Sequence, residues 1–282
     1  MNFQLSNLLK ATRQYFWRKN FTEVEIPYLN SSLPLEPNIY SFNTVWQHTH
    51  AKFYLPTSPE FALKKHLSEN KTNCFAISHC FRDLEAESSH HTKEFLMLEW
   101  YEVGQDLNGL MKSVEEYISQ FINLKFSKFI LPANLPNNEP DFNQYFLNEI
   151  EPNLPRRGAV FITGYPAFLS PLAKVSEANK FFRAQSSEGF IPEGREHGKI
   201  SLASENLAQR FELYINGIEI ANGCTENTNA EQIKTAFETE KKYRLNHHLP
   251  LHPYSEEFIT NSASLPPCSG IGLGLDRLLK LI

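Results

Sequence analysis

Residues 211–226 read FELYINGIEIANGCTE, from Phe211 to Glu226. Two apolar-rich runs, Phe211–Ile215 and Ile218–Asn222, flank Asn216-Gly217. Asn-Gly in that setting is the strongest short signal of a two-residue hairpin turn, because both turn residues need positive φ. The turn then sets the pairing: Ile215 opposite Ile218, Tyr214 opposite Glu219, Leu213 opposite Ile220 and Glu212 opposite Ala221. Side chains alternate faces along a strand. Glu212, Tyr214, Glu219 and Ala221 are therefore expected on one face, and Phe211, Leu213, Ile215, Ile218 and Ile220 on the other, the core face. Glu212 and Glu219 become diagonal neighbours, roughly 7–8 Å apart at the backbone. Two carboxylates so placed repel unless a positive charge sits between them, and a hard divalent cation with oxygen ligands suits that place. A hairpin with a solvated acidic face satisfies the same pattern. Glu226 lies seven residues beyond Glu219, itself seven beyond Glu212. Strict alternation puts Asn222 and Glu226 on the core face. A β-bulge near Ala221–Gly223 is therefore expected if they are to join the carboxylates.

The rest of the chain bounds what this hairpin serves. With 282 residues, 41% hydrophobic and 13% aromatic, the chain suffices for one large domain or two small ones with a substantial core. Its formal net charge is −5 and no block of lysine and arginine stands out. That argues against a protein whose main task is to hold a long nucleic acid, though not against a small phosphate site. The N-terminus MNFQLSNLLK lacks the pattern of a signal peptide, and no apolar stretch is long enough to cross a bilayer. Cys74, Cys80, Cys224 and Cys268 show no CxxC spacing; buried thiols in a reducing cytoplasm are expected.

Taken in order, Leu5 to Trp17 carries the period of an amphipathic helix. Phe21 to Pro27 follows as a strand, with Val24 and Ile26 on one face and Glu23 and Glu25 on the other. Residues 30–43 read as loop and 51–55 as strand. Ser58 is placed to cap a helix, with Pro59 at its first position and Glu60 in its first turn, where a carboxylate complements the dipole. Residues 73–82 read as a strand ending in Arg82. The charged segment 82–94 reads as a loop that leads into a second, antiparallel strand from Phe95 to Tyr101. His90 and His91 in that loop have no cysteine or histidine at metal-ligand spacing. Asp106 to Leu124 is the clearest helix, while 128–157, rich in proline and asparagine, reads as a variable connection. Ala159 to Thr163 reads as a buried strand closed by Gly164, and 174–199 as loop with a short helix. Ala230 to Asn246 is a second long helix, with Ile233, Ala236, Phe237 and Tyr243 on its apolar side. Gly270, Gly272 and Gly274 read as a glycine-rich turn that lets backbone approach a ligand. A helix then begins near Asp276, with Arg277 in its first turn, aimed at an anion.

Together these segments resemble the catalytic domain of class II aminoacyl-tRNA synthetases, whose three motifs fall in order. Helix, strand and Pro27 are similar to the first, a dimer-interface element. Phe81-Arg82 through Phe95 is similar to the second, and Gly-Leu-Gly-Leu-Asp-Arg277 to the third. Ser58-Pro59-Glu60, His91 to Glu99, and Glu219 to Glu226 resemble the lysyl branch. The expected fold is α+β, a mostly antiparallel sheet flanked by helices, as one catalytic domain over 1–282. The first motif begins so early that no N-terminal OB-fold anticodon-binding domain is expected. Where lysyl enzymes usually carry Gly-Gly-Ala, this chain has Leu35-Glu-Pro-Asn-Ile-Tyr40, and Ala221 stands where they carry glycine. These departures resemble the family of truncated lysyl-tRNA synthetase paralogues that ligate lysine, preferably (R)-β-lysine, to elongation factor P. Ser170-Pro-Leu-Ala-Lys174 instead resembles the true lysyl enzymes.

The resemblance implies an ATP-dependent, adenylate-forming ligase, cytoplasmic and homodimeric, that transfers lysine or β-lysine to a lysine side chain of elongation factor P without reading an anticodon. It implies that Arg82 holds the α-phosphate and substrate carboxylate, and that Arg277 holds the γ-phosphate and stacks near the adenine. Phe95 takes the other adenine face and His91 the bent triphosphate, with Gly274 at the nucleotide. Glu212 and Glu219 hold Mg2+. Ser58, Ala221 and Asn222 border the substrate; Glu60 accepts from its backbone-type ammonium and Glu226 from its side-chain ammonium. The methyl of Ala221 is placed to reshape the pocket where an α-amino group would sit. The family's Arg-x-Glu glutamate falls on Leu84 or, after a one-residue shift, on Glu85, which is taken as the ATP contact. The arginines and carboxylates are expected to serve one nucleotide and one magnesium ion. An α-lysine-activating paralogue with another acceptor, a non-catalytic dimeric regulatory paralogue and a tRNA-binding accessory protein are the alternatives; the acidic balance disfavours the last.

Overall fold

A computed structural model describes residues 3–84, 92–132, 134–177 and 206–282. The chain divides into two compact units, Met1–Gln105 with Asn227–Ile282, and Asp106–Glu226. In chain order the first stretch carries α1 (Phe3–Arg18), β1 (Thr22–Glu23), β2 (Asn43–Trp46), β3 (Ala51–Tyr54), α2 (Glu60–Asn70), β4 (Cys74–Phe81) and β5 (Glu94–Val103). The second unit carries α3 (Leu107–Ile118), β6 (Phe126–Ile130), α4 (Glu139–Tyr145), β7 (Ala159–Thr163), β8 (Val175–Glu177), β9 (Asn206–Ala208), β10 (Arg210–Ile215) and β11 (Ile218–Thr225). The chain returns to the first unit with α5 (Ala230–Asn246), α6 (Glu256–Ala263), β12 (Cys268–Gly274) and α7 (Leu275–Leu279).

In the first unit β4 pairs antiparallel with β5 and β5 antiparallel with β12, while the short β1 runs parallel to β4. The polar segment after Arg82 thus does join two antiparallel strands, as its charge density implies. Val24 and Ile26, in an extended continuation of β1, pack on a core of Leu63, Leu67, Ala76 and Tyr101. Phe16 of α1 stacks on Phe75 of β4, centroids 4.7 Å apart, and meets Trp100 of β5 at 5.2 Å. Those rings supply the apolar area that fixes α1 on the strands. The stretch of Gly270, Gly272 and Gly274 is strand β12, not a turn. Gly270 lies opposite Tyr101, and a Cβ there would sit 2.3 Å from that ring. The glycine makes room for an aromatic side chain rather than for a ligand. Gly270→Ala is expected to destabilise the fold by about 1–3 kcal/mol through overpacking, read as a lowered urea midpoint at unchanged slope.

In the second unit β11 pairs antiparallel with β10 and β10 with β7, and β6 runs parallel to β7. The Asn-Gly turn is as expected, with φ 54° at Asn216 and 80° at Gly217, and the Asn216 side chain accepts from the Gly158 amide. The segment 128–157 holds more structure than a connection. Asn138 caps α4 by accepting from the Asp141 amide, and the helix runs on through a single π turn at Phe146–Ile150. Phe142, Phe146, Ile150 and Leu154 repeat every fourth residue and pack with Val160, Ile162 and Tyr214. That apolar period outweighs the proline at the helix start, which a first turn tolerates. The expected reading of 174–199 lies outside the described residues after Glu177.

Helix α5 has the expected bounds, and Ile233 and Phe237 are buried, but Tyr243 is not on its inner face. That face continues as Glu240 and Arg244, with Arg244 only 2% exposed. Arg244 donates to Glu240 at 2.5 Å and to the carbonyls of Pro250, Glu36 and Ile39, and its guanidinium lies 4.7 Å over the Tyr40 ring. A single arginine thereby ties α5 to the segment Leu35–Tyr40.

Candidate active site

Arg82 follows directly on β4, and its amide donates to Lys93 O, which extends the β4–β5 ladder by one step. The same geometry puts its guanidinium 5.1 Å over the ring of Phe95. The arginine expected at the α-phosphate and the aromatic expected on the adenine therefore face each other. Nη2 of Arg82 lies 3.8 Å from Oε1 of Glu36, a residue that the motifs did not single out. Oε2 of Glu36 accepts a short hydrogen bond from the Thr57 hydroxyl. The Glu36 segment is held to Arg82 from behind as well, since Asp83 N donates to Tyr40 O at 2.7 Å.

Burial pushes the Glu36 carboxyl up to about 7; Arg82 pulls it down, Glu60 raises it, and Thr57 and Ser58 lower it. Below pH 4.5, the ordinary value, both folded and unfolded chains hold this proton and no penalty arises. As pH climbs towards 7 the unfolded chain releases it first, and stability falls, in full by about 3 kcal/mol. Glu36→Gln is therefore expected to stabilise the protein above pH 7 and to leave it unchanged near pH 4. Denaturant unfolding at the two pH values checks this; equal shifts at both would contradict it.

Ser58 does not cap α2. The cap position is Pro59, with no side-chain bond, and the Ser58 hydroxyl points towards Glu36 instead. Glu60 is in the first turn of α2, as expected, and pairs with Lys64 one turn on at 2.6 Å; Lys64 is only 1% exposed. Glu99 of β5 lies opposite Ala76 and Gly272 and accepts from the Tyr101 hydroxyl at 2.8 Å. Its carboxyl is raised well above the usual range, first by burial and then by Glu60. Glu99 and Tyr101 sit two apart on one face of a strand. The signal for them was a carboxylate inside the apolar run 95–103.

Arg277 is in α7, whose start is tied down by Asp276: its Oδ2 accepts from Leu96 N at 2.6 Å. That bond joins the helix of Arg277 to the residue after Phe95. Gly274 precedes α7 in extended backbone, and a Cβ there would meet only the Arg277 stem at ordinary contact distance. Glu85 and His91 lie outside the described residues. The alternative position, Leu84, is exposed and left-handed, with φ 59°.

In the second unit the hairpin register departs from the simple expectation. Tyr214–Glu219 and Ile215–Ile218 pair as read, but then Leu213 pairs with Ala221 and Glu212 with Asn222. Ile220 is the extra residue, one position ahead of the expected bulge. Two expected placements change with it. Asn222 comes onto the face of Glu212, and alternation carries Cys224 and Glu226 there too. Ala221 leaves that face, buried opposite Leu213, so its methyl does not border the carboxylates. Cys224 Sγ lies 3.5 Å from Glu226 Oε1, and Glu226 is only 6% exposed.

The positive charge beside Glu212 is an arginine. Arg210, two residues back on the same face, donates to Glu212 Oε1 at 2.5 Å and to Asn222 Oδ1 at 3.1 Å. It also donates to Ser170 Oγ at 3.2 Å and stacks 4.5 Å over Tyr165. Burial works against its charge, yet Glu212, Tyr165 and Glu219 outweigh it and the guanidinium is held more firmly protonated. Oε2 of Glu212 accepts from the Tyr165 hydroxyl at 2.7 Å and from Tyr214 at 3.3 Å. A carboxylate offers about four lone-pair sites, so three donors leave Glu212 one for a metal. No cluster of three or more His, Cys, Asp or Glu able to hold a metal occurs among the described residues. The donor set fits Mg2+, which binds through one or two carboxylates and takes its other oxygens from phosphate and water.

Residues 2–282 match the family model of tRNA synthetases class II (D, K and N), and the chain belongs to that family. Among curated proteins it is similar to the elongation factor P–(R)-beta-lysine ligase of Proteus mirabilis, 27% identical over 98% of this chain and 91% of that protein. Proteins of the same name from Buchnera aphidicola (28%, 98% and 89%) and Pseudoalteromonas translucida (28%, 99% and 90%) are comparably similar. No helix among the described residues is long and apolar enough to cross a membrane.

Proposed function

We propose that the protein is an ATP-dependent ligase that activates lysine, as the (R)-β isomer, and transfers it to a lysine side chain of elongation factor P. The observation that carries this reading is Arg82, stacked on Phe95 and set against Glu36, in a chain matched almost end to end by the class II family. In the first step a carboxylate oxygen of the amino acid bonds to the α-phosphorus of ATP as the bond to the bridging oxygen breaks and pyrophosphate leaves. The obstacle is charge on phosphate oxygens, so fixed cations and positioning suffice without a protein nucleophile. Arg82 neutralises the α-phosphate and orients the substrate carboxylate. Arg277 takes the γ-phosphate, and Phe95, His91, Glu85 and Gly274 complete the nucleotide contacts. Glu212 and Glu219 would hold Mg2+, which supplies charge neutralisation to the phosphates when bound; Arg210 and Tyr165 fix the Glu212 carboxylate for it.

Glu60, Ser58 and Asn222 receive the amino-acid end of the substrate, and Glu226 its distal ammonium. A buried carboxylate facing that ammonium rejects uncharged analogues strongly. In the second step the acceptor amine attacks the adenylate carbonyl, its proton departs, and AMP leaves. The protein acts in the cytoplasm as a homodimer, with 1–282 as its catalytic domain. Trp17, Tyr28 and Leu29, large apolar side chains each at least half exposed around the first motif, support a contact there. ATP–pyrophosphate exchange with (R)-β-lysine and α-lysine, followed by mass spectrometry of elongation factor P, tests the reading. Exchange with (R)-β-lysine and a matching mass gain on the factor are expected. Silence with every lysine isomer would favour a regulatory paralogue.

A further inference from the structure

The structure assigns to Glu36 a part in substrate choice: we infer that, beside Glu60, it reads the amino group that lies close to the substrate's carboxylate, while Arg82 reads the carboxylate itself. This rests on the lysine-activating reading and deepens it. Four observations support it. Glu36 Oε1 and Arg82 Nη2 stand 3.8 Å apart, an opposed pair of charges too far apart to be hydrogen-bonded. An amino acid carries the mirror image of that pair, an ammonium a few bonds from a carboxylate. Second, the carboxyl is built in rather than mobile. Thr57 donates to Oε2, Arg244 grips the carbonyls of Glu36 and Ile39, and Asp83 N holds Tyr40 O. Third, Ser58 Oγ beside it is 7% exposed and turned towards the Glu36 carboxyl without completing a hydrogen bond to it. A buried hydroxyl so placed keeps acceptor capacity for a donor such as an ammonium. Fourth, burial raises the proton affinity of Glu36, and Arg82 only partly offsets this. A cation arriving beside it regains interaction energy that the empty site lacks.

The bland alternative is that Glu36 only steadies Arg82. The two differ in what they predict for 6-aminohexanoate, which keeps the carboxylate and distal ammonium of either lysine isomer and lacks the nearer amine. ATP–pyrophosphate exchange is measured for the wild type and Glu36→Gln, the amide keeping an acceptor for Thr57. The wild type is expected to prefer lysine to the analogue by about a hundredfold or more. In the variant that preference should fall to within roughly tenfold through a raised KM for lysine, with the KM for ATP changed by less than about threefold. Glu36→Asp, which keeps the charge, should recover part of the preference. Equal losses for lysine and analogue, or a rise in the KM for ATP alongside, would overturn the inference. A wild type with no exchange on any lysine isomer would instead remove the functional reading on which it stands.

Discussion

Arg82→Ala is expected to lower ATP–pyrophosphate exchange by at least about a thousandfold while the protein stays folded. Preorganised donors aimed at developing charge are worth a hundred- to thousandfold each, and arginines at phosphoryl centres more. Arg82 presents two functions in one group, a planar cation over Phe95 and a partner facing Glu36. Lysine cannot reproduce both, since it lacks the planar fork, so Arg82→Lys should recover little. The alanine variant also takes away a cation that lowers the Glu36 carboxyl, so Glu36 should hold its proton to higher pH. Exchange rates at saturating ATP, with circular dichroism as a fold control, give the answer. A folded alanine variant within tenfold of the wild type would remove Arg82 from the chemistry.

Arg244→Ala should be strongly destabilising, by about 3–5 kcal/mol. It leaves Glu240 buried without its ion-pair partner, frees the carbonyls of Glu36, Ile39 and Pro250, and removes the cation from the Tyr40 ring. At a few degrees per kcal/mol the melting temperature should fall by roughly 10 °C. The double variant Arg244→Met with Glu240→Leu should lose less than the single, because no buried carboxylate is then stranded. Thermal melts of the three proteins decide it. A double variant as unstable as the single would mean that the carbonyl contacts, not the ion pair, carry the stability.

Much of this was legible from short patterns, and what was missed has physical reasons. The Asn-Gly turn fixed two residue pairs because positive φ at both positions is a backbone demand that few residues meet. The bulge at Ile220 was foreseen only from the awkward parity of Asn222 and Glu226, and its position followed from packing that no local pattern encodes. The missing positive charge was sought in a metal, although Arg210 stood two residues from Glu212 and strand periodicity already put them on one face. Helix α4 was hidden by prolines and asparagines, yet Asn138 caps it and buried residues recur every four positions from Phe142 through the π turn to Leu154. Glu36 lies in the stretch Leu35–Tyr40 that departs from the lysyl Gly-Gly-Ala pattern, but no local pattern marked its role: its place against Arg82 depends on a loop held by Arg244, some two hundred residues along the chain.

The surplus residue at Ile220 gives β11 two independent rulers laid end to end. Glu219 is measured from the tip of the hairpin, whereas Asn222 and Glu226 are measured from beyond the slip. A one-residue change in the length of the tip can therefore be absorbed where the ladder is already interrupted. The far ruler keeps its marks against Glu212 while only the near one shifts. Mechanical tolerance of that kind lets a hairpin tip vary in length while the carboxylates nearer its base stay in step.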